Sequence, residues 1–149
     1  MKLRVEVSDG ITQDEVIIRC GRVDETVQKL QQFVQSLSTP ALVCSKGTDQ
    51  YYLPPEDILF FETQSEQVYA HTKSDVFTVK HRLYELEDRL PGQFLRVAKG
   101  TIVNTKHIHA IQNQLASANR ISFSGTHKHI FVTRHYYKAL KEKMNDRSF

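Results

Sequence analysis

Short apolar segments separated by turns recur along most of this chain, with little helical pattern between them. From residue 41 to residue 133 these segments are rich in β-branched and aromatic side chains, as in ILFFE, VFTV and HIFVT. Runs of this length, bounded by turn residues, are typical of β-strands. Many short strands at close spacing predict mostly antiparallel sheets.

Helical patterns are confined to three places, residues 24–37, 83–90 and 134–144. Asp24 can cap the first helix and Thr133 the last, which is basic. The leucines of the middle segment recur at i, i+3 and i+7, which predicts a short amphipathic helix. The expected fold class is therefore mainly β with short helices, an α+β arrangement.

The first 40 residues predict a small β-β-α unit. Residues 2–7, KLRVEV, alternate polar and apolar side chains, and residues 15–20, EVIIRC, form a second strand pattern ahead of the first helix. Such a unit is too small to bury a good core alone, so it should pack on the rest of the chain or on a copy of itself. We therefore expect two domains, residues 1–40 and residues 41–149.

Positive charge is concentrated in the last part of the chain. The net charge is +3, but residues 91–149 carry ten Lys/Arg and two Asp/Glu. Both acids lie near the end, so residues 91–141 contain no carboxylate side chain. Ordinary surfaces mix both signs, and an acid-free stretch of this length favours a polyanionic partner. Nucleic acid is the first expectation, with a membrane surface or another anionic ligand as the alternative.

The chain has no sequence signal for a membrane. Its apolar runs reach about five residues, whereas a membrane-spanning helix needs roughly 20. The first ten residues, MKLRVEVSDG, lack the apolar core of a signal peptide. We therefore expect a cytoplasmic protein with reduced cysteines.

Three stretches of the second domain resemble one known family. They are ILFFETQSEQVYAHT, LYELEDRLPGQFLRVAKGTIVNTKHI and HIFVTRHYYKALK, in this order. Together they resemble the LytTR DNA-binding domain, the output domain of many bacterial response regulators. The resemblance implies an elongated fold of small antiparallel sheets whose loops, rather than a recognition helix, enter the grooves of double-stranded DNA. Members of the family typically bind direct repeats and bend the duplex.

The resemblance assigns DNA contacts to two loops in the basic part of the chain. The family's last strand ends in Val-Ser/Thr-Arg, matched here by Val132-Thr133-Arg134, so Arg134 is the best candidate contact and His135 beside it a weaker one. The second loop is Ala98-Lys99-Gly100, where the family usually has His-Arg-Ser. Lys99 keeps the positive charge but lacks the planar fork of arginine, which puts sequence readout by this loop in doubt. Gly100 tolerates an unusual backbone conformation. A plain hairpin turn with a solvated lysine is the alternative.

The third contact region that the resemblance implies is the turn after Phe60-Phe61-Glu62. Gln64, Ser65 and Gln67 can hydrogen-bond base edges there. Glu66 would be repelled by phosphate, although it can accept a hydrogen bond from a cytosine amine. Further phosphate candidates in the basic segment are Lys106, Arg120, Lys128 and Lys138.

Catalytic and metal-binding functions fit the sequence less well. His107/His109 and His127/His129 would each lie on one face of a strand, but no cysteine or carboxylate is near in sequence, so we expect no metal site and no cofactor. Nucleophilic and phosphodiester chemistry needs carboxylates that the basic part lacks. We therefore expect no enzymatic activity, and base stacking on single-stranded RNA is weaker than DNA binding because the aromatic residues alternate as core residues.

Two functional hypotheses remain. The first is a sequence-specific bacterial transcription regulator that binds tandem DNA sites as a homodimer. The second is a non-catalytic module that binds an anionic partner, RNA or a membrane surface, without reading sequence. Relatives often carry a phosphoacceptor receiver of about 120 residues, for which residues 1–40 leave no room. The resemblance to stand-alone regulators instead implies that the β-β-α unit mediates dimerisation or contact with a membrane-bound inhibitor protein.

Overall fold

The computed structural model describes residues 1–12, 14–38, 40–113, 118–146 and 148. The chain divides into two compact units, Met1–Ser38 and Thr39–Phe149. The division lies close to residue 40, where the sequence changes from the β-β-α pattern to closely spaced strands.

The first unit contains the helix α1 (Glu25–Ser38). Asp24 caps it as predicted, because its carboxylate oxygen Oδ1 accepts a hydrogen bond from the backbone N–H of Val27 at 3.0 Å. The apolar face of the helix is only partly covered. Val27 is buried, whereas Phe33 and Leu37 are 61% and 70% exposed.

The two strands predicted ahead of α1 are not present in the described residues, and this part of the prediction is wrong for this structure. Residues 2–7 and 15–20 carry no strand, and Leu3, Val5 and Val7 are exposed. A strand requires a hydrogen-bonding partner, and an isolated two-stranded hairpin is at best marginally stable in water. Alternating polarity indicates that a segment could form a half-buried strand, but it does not supply the neighbouring strand with which to hydrogen-bond.

The second unit is built from short strands, as the sequence predicts. Its strands are β1 (Leu42–Lys46), β2 (Asp49–Leu53), β3 (Phe60–Gln64), β4 (Gln67–His71), β5 (Val76–Val79), β6 (Phe94–Ala98), β7 (Thr101–Asn104), β8 (Ile108–Gln112), β9 (Ala118–Phe123) and β10 (His129–Thr133). Its helices are α2 (Leu83–Arg89) and α3 (Arg134–Asp146). The paired strands are antiparallel throughout, which confirms the predicted mainly β class.

These strands form two sheets. The large sheet has seven strands in the order β2-β1-β5-β4-β3-β7-β6, and the small sheet has three in the order β10-β9-β8. Sequence neighbours form hairpins, but β3 also pairs with β7, which is distant in sequence. This pairing joins the hairpin β3–β4 to the hairpin β6–β7.

The large sheet has a buried cluster on each face. Successive side chains of a strand point to opposite faces, so Phe60 and Phe61 of β3 belong to different clusters. Phe61 packs with Leu83 and Leu86 of α2, and Phe60 lies in the cluster that contains Leu140 of α3. Each fully buried large apolar side chain contributes about 1.5–3 kcal/mol relative to exposure. The two helices therefore cover opposite faces.

The described helices are too short and too polar to cross a membrane. Of the two cysteines, Cys20 is exposed and Cys44 is buried in the core. Burial raises the pKa of the Cys44 thiol to about 11, so this thiol stays uncharged and inert near neutral pH.

Asn104 is a fully buried polar residue that ends β7. Its side-chain amide Nδ2 donates to the carbonyl of Ile58 at 3.0 Å, and its Oδ1 accepts from the backbone N–H of Lys106 at 3.2 Å. The second bond caps the short 3-10 turn Thr105–His107. Asn104 therefore joins two loops that precede strands of different sheets.

Replacing Asn104 with alanine should lower the free energy of unfolding by about 2–3 kcal/mol, because the buried carbonyl of Ile58 and the partly buried N–H of Lys106 would each lose a partner. The measurement is the urea midpoint of the variant against the parent chain. The exposed Asn113 provides the control, and Asn113→Ala should stay within about 0.5 kcal/mol of the parent. Equal losses in both variants would contradict the bonding role of Asn104.

Candidate nucleic-acid interface

Two of the three loops implicated by the sequence lie side by side. The turn between β3 and β4 comprises Ser65 and Glu66, and the turn between β6 and β7 comprises Lys99 and Gly100. Because β3 pairs with β7 in antiparallel register, the end of β3 meets the start of β7. The backbone N–H of Thr63 donates to the carbonyl of Gly100 at 2.8 Å. Both turns therefore project from the same end of the large sheet.

The turn between β3 and β4 has an uncommon backbone. Ser65 and Glu66 adopt φ values of 50° and 66°, the left-handed region that a two-residue hairpin turn of this kind requires at both central positions. Glycine or asparagine usually occupies such positions, and other L-residues there cost roughly 1 kcal/mol each. Backbone strain of this kind is commonly found at functional sites. The backbone conformation of this turn presents the exposed side chains of Ser65 and Glu66.

The flanking glutamines of this turn differ. Gln64 is exposed, and its amide donates only to Glu62 at 3.3 Å. Gln67 is half-buried, and its amide donates to the carbonyls of Val68 and Val79, each at 3.1 Å. The structure therefore leaves Gln64 available at the surface, whereas the amide of Gln67 is engaged inside the sheet.

The turn between β6 and β7 takes its shape from a bulge. The register of β6 against β7 shifts between Arg96 and Ala98, which leaves one extra residue on the β6 side. Lys99 is exposed at the tip. Gly100 does not adopt a positive φ, so the unusual backbone expected at this glycine is not found. A Cβ at Gly100 would make only ordinary contacts, 3.8 Å from Thr63.

Arg134 is the first residue of α3, directly after β10, and it is exposed together with His135. The far end of α3 is anchored at the start of β6, because the ammonium of Lys143 donates to the carbonyl of Gly92. The helix packs against β6 and β10, and Arg134 lies at the end of α3 away from Lys143.

Lys128, a predicted phosphate contact, lies elsewhere. Its ammonium donates to the carbonyls of Thr72 and Asp75 at 2.9 and 2.7 Å. These two residues follow β4, at the opposite end of that strand from Ser65 and Glu66. Burial lowers the pKa of Lys128, and the negative charges of Asp75 and Glu62 oppose that effect. The structure therefore does not bring Lys128 together with the other candidates.

Lys128 also completes a chain of polar contacts around His71. The ring Nε2 of His71 lies 2.7 Å from Oε1 of Glu62, and Nδ1 lies 3.3 Å from the ammonium of Lys128. Lysine can only donate, so the contacts are satisfied when Nδ1 is an acceptor and Nε2–H donates to the carboxylate. His71 is therefore neutral in this arrangement, and its ring stacks on Phe60 with a centroid distance of 4.3 Å.

Arg96 of β6 lies next to the turn that carries Lys99. Its guanidinium donates to the carbonyls of Ala98 and Lys99 and to the carboxylate of Glu87. An arginine three residues before a turn gives a weak sequence signal, and nothing in the sequence indicates that Glu87 of α2 reaches it. The described residues contain no group of three or more histidine, cysteine or acidic side chains arranged to hold a metal ion.

Comparison with known proteins supports a nucleic-acid interface. The sequence profile of the LytTR DNA-binding domain family matches residues 49–145. An uncharacterized HTH-type transcriptional regulator of Staphylococcus aureus strain NCTC 8325 is 27% identical over 146 residues, covering 97% of this chain and 99% of that protein. A regulator of the same description from strain N315 matches equally. The fold is similar to the LytTr DNA-binding domain of a protein described as a methyl-accepting/DNA response regulator from Bacillus cereus, with a TM-score of 0.65, 22% identity, and coverage of 70% of this chain and 96% of that one.

The environment of His71 predicts a pH-dependent stability. Burial lowers the pKa of His71, and the partly offsetting attraction of Glu62 does not overcome it. Below the ordinary histidine pKa of about 6.5, the unfolded chain takes up a proton that folded His71 resists, so the free energy of unfolding falls as the pH falls through this range. In His71→Gln this decline should be shallower, as measured by urea denaturation above and below the range.

The control for this experiment is the exposed His109. His109→Gln should keep the pH dependence of the parent chain, because this exposed side chain is not part of the contacts around His71. A pH dependence of His71→Gln that matches the parent chain would show that His71 does not cause it.

Proposed function

Since this chain belongs to the LytTR DNA-binding domain family, we propose that it is a bacterial transcription regulator that reads double-stranded DNA with loops. The family is one of DNA-binding domains and not of enzymes, which confirms the expected absence of catalysis. The relatives from S. aureus are described as transcriptional regulators. Their similarity to this chain extends over nearly the full length of both proteins. We propose a cytoplasmic location because the DNA partner is found there.

One observation carries the proposal: two of the implicated turns lie side by side at one end of the large sheet, and we propose that the first residue of α3 faces DNA from the same side. The turn of Ser65 and Glu66 lies next to the turn of Lys99, because β3 pairs with β7 and Thr63 donates a hydrogen bond to Gly100. Arg134 follows β10 and is exposed. Separate projections spaced along one face can enter successive grooves of a duplex, whereas a flat basic surface can only follow its phosphates.

The projections supply different chemistry. Lys99 is a point charge suited to phosphate, which gives affinity without sequence information. Arg134 has the planar fork that can bond two acceptors of guanine in the major groove. Gln64 and Ser65 can bond base edges, and the carboxylate of Glu66 can accept from a cytosine amine. We therefore assign sequence readout to Arg134 and to the turn between β3 and β4.

The helices are assigned a supporting role. The relatives are described as HTH-type, but in the described residues five strands separate α2 from α3 and five separate α1 from α2. None of these helices therefore follows another across a short turn, as a helix-turn-helix requires. We propose that α2 and α3 hold the sheet from either face while the turns meet the DNA.

The first unit is proposed to join two copies of the chain. It carries exposed apolar side chains on α1 and ahead of it, among them Phe33, Leu37 and Val5. The relatives align over 97% of this chain, so the N-terminal unit is part of what they share. Two joined copies would place two DNA-binding units on tandem sites, which strengthens binding by effective concentration. A membrane-bound inhibitor protein that competes for the same apolar residues would restrain such a regulator.

The experiment that tests the main function begins with a library of random-sequence duplexes. Duplexes enriched by binding to the full chain are then used in gel shifts at two salt concentrations with excess unselected duplex. A complex with enriched duplex that survives the competitor supports sequence reading. Equal competition by unselected duplex would overturn it in favour of an anion-binding module without sequence readout.

Variants of Arg134 and Lys99 should have different effects on binding. Arg134→Ala should cost about 1–3 kcal/mol on the selected duplex and relax specificity. Lys99→Ala should weaken all duplexes about equally and reduce the slope of log affinity against log salt by about 1. Both are measured by fluorescence anisotropy across a salt series.

Two further variants control this comparison. Arg134→Lys keeps the charge but not the fork, so it should lose specificity while the salt slope stays. Lys73 is exposed in the turn between β4 and β5, at the opposite end of the sheet, and Lys73→Ala should bind as the parent chain does. If Arg134→Ala binds like the parent chain, the assignment of this arginine is wrong.

Dimerisation is tested by removing the N-terminal unit. The full chain should have the mass of a dimer in light scattering, and the chain without residues 1–40 should have the mass of a monomer with the strands of the second unit intact by circular dichroism. An unchanged dimer mass after the deletion would reject the role of this unit.

A further inference from the structure

The side chain of Arg96 forms two hydrogen bonds to the backbone of the turn that carries Lys99. Its Nε donates to the carbonyl of Ala98 at 3.1 Å, and its Nη2 donates to the carbonyl of Lys99. These are two successive carbonyls of one turn, bonded by two nitrogens of one planar group. The guanidinium can bond both at once because its donors are held in a fixed fork.

The turn lies next to an interruption in the ladder between β6 and β7. Its strand β6 is an edge strand with a bulge between Arg96 and Ala98, so the ladder to β7 is interrupted next to the tip. On the other side, the carbonyl of Gly100 accepts from Thr63. Ala98 pairs with Thr101 across the turn, and the bonds from Arg96 fix the carbonyls of Ala98 and Lys99 on the side of the bulge.

Arg96 is itself anchored by α2. Its Nη1 donates to a carboxylate oxygen of Glu87, and the side chains of Arg96 and Glu87 are 24% and 43% exposed. Exposed ion pairs contribute little to stability, typically below about 1 kcal/mol. The effect of this pair is geometric, because it ties the guanidinium to a helix that is packed on the sheet by Leu83 and Leu86.

We propose that Arg96 is a positioning residue for DNA recognition, which sets the place of Lys99 through the backbone of its turn without touching DNA. This rests on the proposed function, since it concerns how that DNA-reading surface is held. Each guanidinium nitrogen already donates within the unit, and the adjacent carboxylate offsets the charge. Arg96 is therefore poorly placed to act as a phosphate contact.

The first test is a double-mutant cycle on a duplex selected by the parent chain. Arg96→Lys keeps the positive charge but not the fork, and it should weaken specific binding about tenfold. Lys99→Ala should then cause little further loss in the Arg96→Lys background, because a misplaced lysine no longer contributes. Additive losses would overturn the proposal, since Arg96 would then act independently of Lys99.

The second test uses variants of Glu87. A phosphate contact by Arg96 and a positioning role of Arg96 predict opposite changes in DNA affinity for Glu87→Ala. If Arg96 contacted phosphate, removing the negative charge of Glu87 would tighten binding, and Glu87→Gln and Glu87→Ala would do so equally. If Arg96 positions the turn, Glu87→Ala should bind the selected duplex at least threefold more weakly than Glu87→Gln, which keeps an acceptor. Asp88→Asn, at the exposed next residue, controls for charge alone. Equal binding by both Glu87 variants would count against the anchor.

The third test needs no DNA, so it separates this inference from the proposed function. Backbone order parameters of Lys99 and Gly100 from nuclear magnetic resonance should fall in Arg96→Lys relative to the parent chain. Those of Gly47 and Thr48, in the turn between β1 and β2, should not change. If order at Lys99 is retained in a folded Arg96→Lys, the positioning role is rejected. If order falls but the parent chain does not select DNA, the proposed function fails and the positioning role remains.

Discussion

The pairing of β3 with β7 is the constraint on which the rest of the second unit depends. It joins residues about forty positions apart in the chain, places Phe61 next to Ile102, and ends in the hydrogen bond from Thr63 to Gly100. Both faces of this pair are buried, because Phe60 and Val103 serve one cluster while Phe61 and Ile102 serve the other. The same pairing sets the two candidate DNA-binding turns side by side. The core and the candidate interface therefore have a common origin.

The cations of the basic segment divide into two groups by what they bond. Residues 91–141 contain no carboxylate, and some cations of this stretch bond backbone carbonyls of the unit. Arg96 and Lys128 both do so, each bonding two carbonyls. These contacts order loops, and Arg96 also bonds the carboxylate of Glu87, which offsets its charge. Lys99 and Arg134 remain exposed, and they supply the charge that the proposed function uses.

The helices contribute rigidity where many DNA-binding proteins use a helix for reading. Leu86 of α2 and Leu140 of α3 are almost fully buried on opposite faces of the large sheet. The far end of α3 is tied to the start of β6 by Lys143, and α2 is tied to the far part of that strand through Glu87 and Arg96. An interface made of short turns needs such support, since a turn alone has few contacts to hold its side chains in place.

The sequence by itself determined the class of the fold, the family and the charge that points to DNA. Strand length, turn residues and the VTR and AKG motifs are local properties, and local properties can be read from neighbouring residues. The sequence did not determine which segments pair with each other. Residues 2–7 and 15–20 alternate like strands but form no strand in the described structure. It also could not separate Lys99, exposed at a tip, from Lys128, which is bonded to Thr72 and Asp75. Only the tertiary structure decided these points, because which strand, carbonyl or carboxylate a residue meets depends on contacts between positions far apart in the chain.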